Sequence, residues 1–250
     1  MAPVWPGFGY QPLESITLTQ LATVHLLFPA AGVGHRFGQP QPKQYTLLAG
    51  KTLLEWTLDA WAGLPFTGEK ILVLSASDQQ GEVLASRYEG LRCVVGGAQR
   101  AESVLAGLES MTAAADDWVM VHDIARPCVR QSDVLALLTQ CQNSQHGALL
   151  ARPLTDTIKQ RQGDNLITVD RSQLWAAMTP QCFRYDQLRE ALTQGLAHSL
   201  NLTDEASAIE WLGEPVGLVN GSVDNIKLTH PDDLGLVAHY LRQQGRLATV

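Results

Sequence analysis

From Val24 onward the sequence alternates short apolar runs with stretches whose apolar residues recur at helical spacing, and this alternation constrains the fold more than any other feature. The runs are VHLLF (24–28), ILVLS (71–75), CVV (93–95), WVMVH (118–122) and ALLA (148–151). Runs that are apolar at nearly every position, rather than at alternate ones, suit strands covered on both faces. Between them, Leu54, Leu58 and Trp61 fall at i, i+4 and i+7, Val134, Leu138 and Cys141 repeat that spacing, and Leu234, Val237 and Leu241 mark a last helix. The pattern predicts an α/β fold, a mostly parallel twisted sheet flanked by helices and joined by right-handed crossovers. Such a sheet takes its ligand outside the carboxyl ends of its strands.

Residues 152–171 (RPLTDTIKQRQGDNLITVDR) break the rhythm. The segment is polar and alternating, with Gly163-Asp164-Asn165 as a turn, which predicts a hairpin. A lone hairpin is marginal in water, so this one packs over its own domain or reaches a partner chain. The first 23 residues are rich in Gly, Pro and aromatics, contain no Lys or Arg, and read as a flexible extension. A single domain is therefore expected over 24–250, with the hairpin arm at about 152–171.

Charge and cysteine usage narrow the function. There are 18 Lys and Arg against 25 Asp and Glu, a net charge of −7, which argues against a broad nucleic-acid surface. The 13 Arg and 5 Lys matter through where they sit. Cys93, Cys128, Cys141 and Cys182 form no CxxC pair and have no His cluster beside them, which favours buried free thiols over a zinc site or disulfides. No run approaches the roughly 20 apolar residues of a membrane span, and the opening segment lacks a basic and then apolar leader. No membrane association and a cytoplasmic location are expected.

Several motifs can carry chemistry. The first strand leads into Pro29-Ala30-Ala31-Gly32-Val33-Gly34-His35-Arg36-Phe37-Gly38 and then Pro42-Lys43-Gln44-Tyr45. Small residues after a buried strand let backbone amides approach a phosphate. The dinucleotide fingerprint fails because Phe37 stands where a glycine is required, and the Walker motif fails for want of GKS or GKT. Bare amides plus Arg36 and Lys43 suit a polyphosphate, although the small residues alone also describe an ordinary turn. Gly96-Gly97-Ala98-Gln99-Arg100-Ala101-Glu102-Ser103-Val104 is a second loop before a helix, where the helix N-terminus and Ser103 can present donors to a nucleotide. In Val121-His122-Asp123-Ile124-Ala125-Arg126-Pro127, Asp123 is placed for Mg²⁺ or a ligand hydroxyl, and Arg126 meets a phosphate or pairs with Asp123. Thr203-Asp204-Glu205 reads as a helix cap at Thr203 followed by acidic residues. Asp224 can join Asp123 at a metal, and Lys227 can face a reacting phosphate.

In order, PAAGVGHRFG, PKQY, GGAQRAESV, VHDIARP, DTIK, VDRSQLW, MTPQ, TDEASAIE and DNIK resemble the signature run of the bacterial 2-C-methyl-D-erythritol 4-phosphate cytidylyltransferases, over roughly residues 24–242. The resemblance implies a Rossmann-like nucleotidyltransferase domain with a projecting β-arm, and a homodimer with composite active sites. The implied reaction joins CTP and methylerythritol 4-phosphate into 4-diphosphocytidyl-methylerythritol, with Mg²⁺ and release of pyrophosphate, in non-mevalonate isoprenoid synthesis. It implies that Arg36 and Lys43 stabilise charge on the α-phosphate, while Arg171 and Lys227 position the attacking phosphate. Ala30, Ala31, Gly32, Gly97 and Ser103 would hold the nucleotide. Asp123, Arg126, Thr157 and Thr203 would line the erythritol side, with Thr157 and Arg171 coming from the neighbouring chain's arm. Two departures stand out: Ile124 where the family usually has Ala, and Ala98 where an acidic residue is common. The rival readings are a cytidylyltransferase for another polyol phosphate, such as ribitol 5-phosphate, and a nucleotide-binding module without catalysis; intact Arg36, Lys43, Arg171 and Lys227 argue against the latter.

Overall fold

The computed structural model describes residues 23–32 and 41–248. The expected N-terminal extension, apart from Thr23, and the candidate Arg36 lie outside the described residues. The chain begins with β1 (Val24–Pro29), and after a short 3-10 turn at Lys43–Tyr45 come the paired β2 (Leu47–Leu48) and β3 (Lys51–Thr52) and helix α1 (Leu53–Asp59). Next follow β4 (Lys70–Leu74), α2 (Gln79–Ala85), β5 (Leu91–Val95), α3 (Arg100–Glu109), β6 (Trp118–Val121) and α4 (Gln131–Ser144). Then come β7 (Ala148–Pro153), β8 (Ile158–Gln162), β9 (Asn165–Val169), β10 (Trp175–Arg184) and α5 (Tyr185–Ala197). Helix α6 (Glu205–Trp211), β11 (Gly217–Asn220) and α7 (Asp233–Gln243) complete the order.

Seven strands form one sheet in the order β11-β7-β10-β6-β1-β4-β5. Its adjacent pairs are parallel except where β10 runs antiparallel between β6 and β7. Helices cover both faces, as the apolar runs predict, and the side-chain period of two distributes the core. Leu26, Phe28, Leu72, Leu74 and Met120 pack toward α1, α2 and α4. Their neighbours Leu27, Ile71, Val73, Val119 and Val121 pack toward α3, α5 and α6. Each central strand is thus buried on both sides, which is why its sequence is a continuous apolar run rather than an alternating one. A third cluster joins α1 to α7 through Leu53, Trp56, Val237 and Leu241.

Helix α1 is shorter than its apolar spacing predicts. A capping box of Thr52 and Glu55 starts it, it ends at Asp59, and Trp61 is buried from the turn beyond. Strand β10 has no signal as an apolar run, because it reads WAAMTPQCFR and contains a proline. A proline donates no ladder hydrogen bond and belongs at edges or bulges. The central strand tolerates it because the β7–β10 register shifts between Ala177 and Gln181.

The arm is a two-stranded ladder of β8 and β9, separate from the main sheet. Gln162 pairs with Asn165, so the turn is Gly163-Asp164 alone and Asn165 opens β9 rather than belonging to the turn. Gly163 has φ 60°, which a two-residue hairpin loop needs and glycine adopts freely. Extension of the β7–β10 ladder to Pro153 and Trp175 forms its base. Leu166 and Ile167 on the arm are exposed. The four cysteines are free, with Cys128, Cys141 and Cys182 buried. No helix among the described residues is long and apolar enough to cross a membrane.

Candidate active site

The chain winds outward from β1 to β4 and β5, then returns to place β6 on the other side of β1. Such a reversal opens a crevice at the carboxyl ends of the strands. A cavity of about 250 Å³ lies there, lined by Ala30, Ala31 and Gly32 after β1, Lys43 and Gln44, Gly97, Ala98, Gln99, Arg100 and Ser103 around the start of α3, Asp123, Ile124 and Ala125 after β6, and Lys227. Gln44 Nε2 donates to the Ala30 carbonyl at 3.1 Å, and the Ala30 N–H donates to Val73 O at 2.8 Å, so the first loop is anchored at its base. Among the described residues, a Cβ added at Gly32 would meet no atom within 4 Å. At Gly96 it would come within 2.6 Å of Ser103 Oγ and 2.9 Å of Ala31 Cβ, so that glycine lets two site loops touch.

Four charged groups form a continuous chain. Lys227 Nζ donates to Asp123 Oδ2 at 2.5 Å. Arg100 Nε and Nη2 donate to Asp123 Oδ1 at 3.2 and 3.0 Å. The far side of the same guanidinium donates through Nη1 and Nη2 to Glu205 Oε1 and Oε2 at 2.6 and 3.1 Å. Burial alone would raise the pKa of Asp123, but Arg100 and Lys227 overcome it and hold the carboxyl well below the usual carboxylate range. Burial pushes Glu205 up from its ordinary value, against the pull of Arg100.

The loop after β6 is fixed by a neutral histidine. His122 is fully buried, and burial pushes its pKa down to about 4, so its ring is uncharged near neutral pH. Nε2 lies 3.0 Å from the Arg126 carbonyl, which can only accept, so that nitrogen carries the proton. Nδ1 then accepts from the Thr179 hydroxyl at 3.1 Å, and Thr179 Oγ1 accepts the Asp123 N–H at 3.0 Å. Every group in this relay has a partner of the right kind, which pins the backbone of Asp123 to β10.

Of the predicted site residues, Ala30, Ala31, Gly32, Lys43, Gly97, Ser103, Asp123 and Lys227 come together around this cavity. The start of α3 offers fewer donors than its sequence suggests. Glu102 Oε2 already accepts the N–H groups of Ala98 and Gln99, and the Ser103 hydroxyl donates to the Gln99 carbonyl, leaving Ser103 Oγ as an acceptor. Arg126 does not line the cavity. It is buried, with Nη1 donating to the Asn225 carbonyl at 2.7 Å.

Asp224 does not join Asp123. Its Oδ2 accepts from Arg130 Nη2 at 2.6 Å and from Gln244 at 3.0 Å, since a buried carboxylate takes the nearest available donors, and neither of these lines the cavity. Among the described residues no group of three or more His, Cys, Asp or Glu can hold a metal. Asp123, the one carboxylate among the described lining residues, suits Mg²⁺, which takes one or two carboxylates together with substrate phosphates and water. The α6 cap is Asp204, whose side chain accepts the Ser207 N–H, rather than Thr203, which is exposed one residue earlier. Thr157 and Arg171 are exposed in the arm region and do not line this chain's cavity.

A family model described as 2-C-methyl-D-erythritol 4-phosphate cytidylyltransferase matches residues 24–243. The chain belongs to this cytidylyltransferase family. It is 46% identical over 225 residues to the family member of Pseudoalteromonas atlantica, covering 89% of this chain and 96% of that one. It is 48% identical over 217 residues to that of Haemophilus influenzae, covering 86% and 95%. A solved Francisella tularensis 2-C-methyl-D-erythritol 4-phosphate cytidylyltransferase superposes with a TM-score of 0.76 at 33% identity, over 88% of this chain and all of that one.

Within this cytidylyltransferase frame the departure at Ile124 falls on a residue that both borders the cavity and packs into the core. Its side chain is 4% exposed and belongs to the core cluster on the α1, α2 and α4 face, while its carbonyl accepts from Thr57 Oγ1 at 2.6 Å. Arg100 and Glu205 are the site-associated residues that motif reading passes over. A signal for Arg100 exists, since a cation in the first turn of a helix opposes the macrodipole and needs a carboxylate partner. Nothing local identifies that partner, because Glu205 is 105 residues away.

Proposed function

We propose that the chain transfers the cytidylyl group of CTP to 2-C-methyl-D-erythritol 4-phosphate, giving 4-diphosphocytidyl-2-C-methyl-D-erythritol and pyrophosphate. The observation that carries this reading is a cavity at the sheet's reversal point in which a small-residue loop meets Lys43, Lys227 and Asp123, in a chain matched by this family over residues 24–243.

The nucleophile is a phosphate monoester, ionised near neutral pH, so no strong general base is needed. One of its oxygens bonds to the α-phosphorus as the bond from that phosphorus to the bridging oxygen breaks, and pyrophosphate leaves with the electron pair. The work for the protein is to neutralise charge and align two polyanions. Lys43, with Arg36, serves the α-phosphate, and Lys227 turns its ammonium from Asp123 toward the incoming phosphate. Ala30, Ala31, Gly32, Gly97 and Ser103 hold the nucleotide, and the Ser103 oxygen lone pair suits the amine edge of cytosine. Mg²⁺, held by Asp123 and the triphosphate, would supply further charge neutralisation.

Asp123 serves the acceptor's hydroxyls together with Thr203. The arm carries Thr157 and Arg171 into the site of a second copy, so the working unit is a homodimer in the cytoplasm. The exposed arm supports this reading, since a two-stranded ladder gains stability by packing on a partner. The deciding assay compares pyrophosphate release from CTP with methylerythritol phosphate and with ribitol 5-phosphate as acceptor. Preference for ribitol phosphate, or no release with either, defeats the proposal. For the dimer, mixed dimers of Arg171→Ala and Lys43→Ala chains should regain activity, and no rescue refutes the shared site.

A further inference from the structure

Glu205 is a charged side chain that the mechanism above does not use. It is 1% exposed, does not line the cavity, and spends both carboxylate oxygens on Arg100. Its position is firmly set. Gln181 in β10 donates to Asp204 Oδ2 at 2.8 Å and accepts the Ala206 N–H at 2.8 Å, clamping the residues on either side of Glu205 to the sheet. A buried ion pair adds little stability over apolar packing of the same volume, so stability alone is a weak reason for burying a carboxylate here.

Arg100 supplies a stronger reason. It lines the cavity, and a mobile guanidinium in a pocket for two polyanions would turn to their phosphates, which it matches better than any other side chain. Four of its five N–H groups are instead engaged, two on Glu205 and two on Asp123. Its charge is matched in place, and its other edge fixes Asp123 Oδ1, leaving Oδ2 to meet Lys227.

We propose that Glu205 is a positioning residue: acting through Arg100, it fixes the carboxylate of Asp123 and keeps Arg100 from competing for substrate phosphate. The inference rests on the functional reading above, in which Asp123 and Lys227 serve the acceptor side. A purely structural Glu205 would lower the amount of folded enzyme or move all kinetic constants together. A positioning Glu205 acts unequally on the two substrates.

The test measures steady-state pyrophosphate release by full-length wild type, Glu205→Gln, Glu205→Asp, Arg100→Met and the Glu205→Gln/Arg100→Met double variant, with folding checked by circular dichroism. In Glu205→Gln, kcat/KM for methylerythritol phosphate should fall by about 10- to 100-fold, the size expected for ångström-scale misplacement of a reacting group. KM for CTP should stay level or decrease, because the released Arg100 turns to the triphosphate. Glu205→Asp, which keeps the charge, should recover part of the loss. In the Arg100→Met background, Glu205→Gln should add nothing. Parallel changes in both KM values, additive losses, or unchanged acceptor kinetics in a folded variant overturn the proposal. So does failure of both Glu205 variants to fold, which assigns the residue a structural role. An inactive wild type instead defeats the functional reading, and the proposal with it.

Discussion

Replacing Asp123 by asparagine preserves side-chain shape and removes the charge that joins Arg100 to Lys227. Losing one member of a buried ion pair costs about 3–5 kcal/mol. Two features reduce that figure. The Lys227 side chain is 34% exposed, and pairs of that kind contribute no more than about 1 kcal/mol. Arg100 also keeps Glu205, which is relieved of repulsion from Asp123. A net loss of about 2–4 kcal/mol is expected. With a urea dependence near 3 kcal/mol per molar, the unfolding midpoint should drop by roughly 1 M. Because ionisation of Asp123 is favoured in the folded state, its stabilisation is present above the ordinary value of 3.8 and lost as pH falls through the lower folded value. The gap between wild type and variant should therefore be full at neutral pH and narrow as pH falls below 3.8. Turnover with CTP and methylerythritol phosphate should fall by about 10²-fold as Lys227 loses its guide. A midpoint shift under roughly 0.3 M with unchanged slope, and turnover within about twofold, would refute the argument that these charges act as one unit.

The two glycines of the site loops should behave oppositely. Gly96→Ala drives a Cβ into Ser103, Val73 and Ala31 and should destabilise by about 1–3 kcal/mol, whereas Gly32→Ala meets no atom of the described residues and should raise KM for CTP at unchanged stability. Equal melting temperatures for the two variants would contradict this. Lys43→Ala should fold normally yet lose about 10²-fold or more in kcat, measured as pyrophosphate release, and full release would remove Lys43 from the mechanism. Burial pushes the Cys128 thiol from 9.0 up to about 12, so its stabilisation is complete below pH 9 and lost as pH rises toward 12. Between pH 9 and 11 wild type should lose about 2 kcal/mol more than Cys128→Ala in urea unfolding, and parallel pH curves would contradict the assignment.

The parallel core of the sheet was legible because strands covered on both faces must be apolar throughout, and β1, β4 and β6 are. Strand β10 was not legible, because a bulge accommodates Pro180 and a bulge has no apolar signature. The loops after β1, β5 and β6 were legible as candidate site segments because their residue types suit phosphate chemistry; Lys43 after β1 and Asp123 after β6 were recognisable there, as was Lys227 in the segment after β11. Asp224 shows the limit of that method. Its residue type suited a metal as well as Asp123 did, and only its place beside Arg130 and Gln244 removes it from the site.

Local periodicity and residue chemistry are enough to mark the apolar strands β1, β4 and β6, the loops rich in small residues and the side chains that can bear charge. The tertiary structure decided how the charges pair. Lys227, Asp123, Arg100 and Glu205 come from distant parts of the chain, and the strength of their interaction depends on separation in space and on burial. Both are set when the loops after β5 and β6 converge with α6 and the segment bearing Lys227.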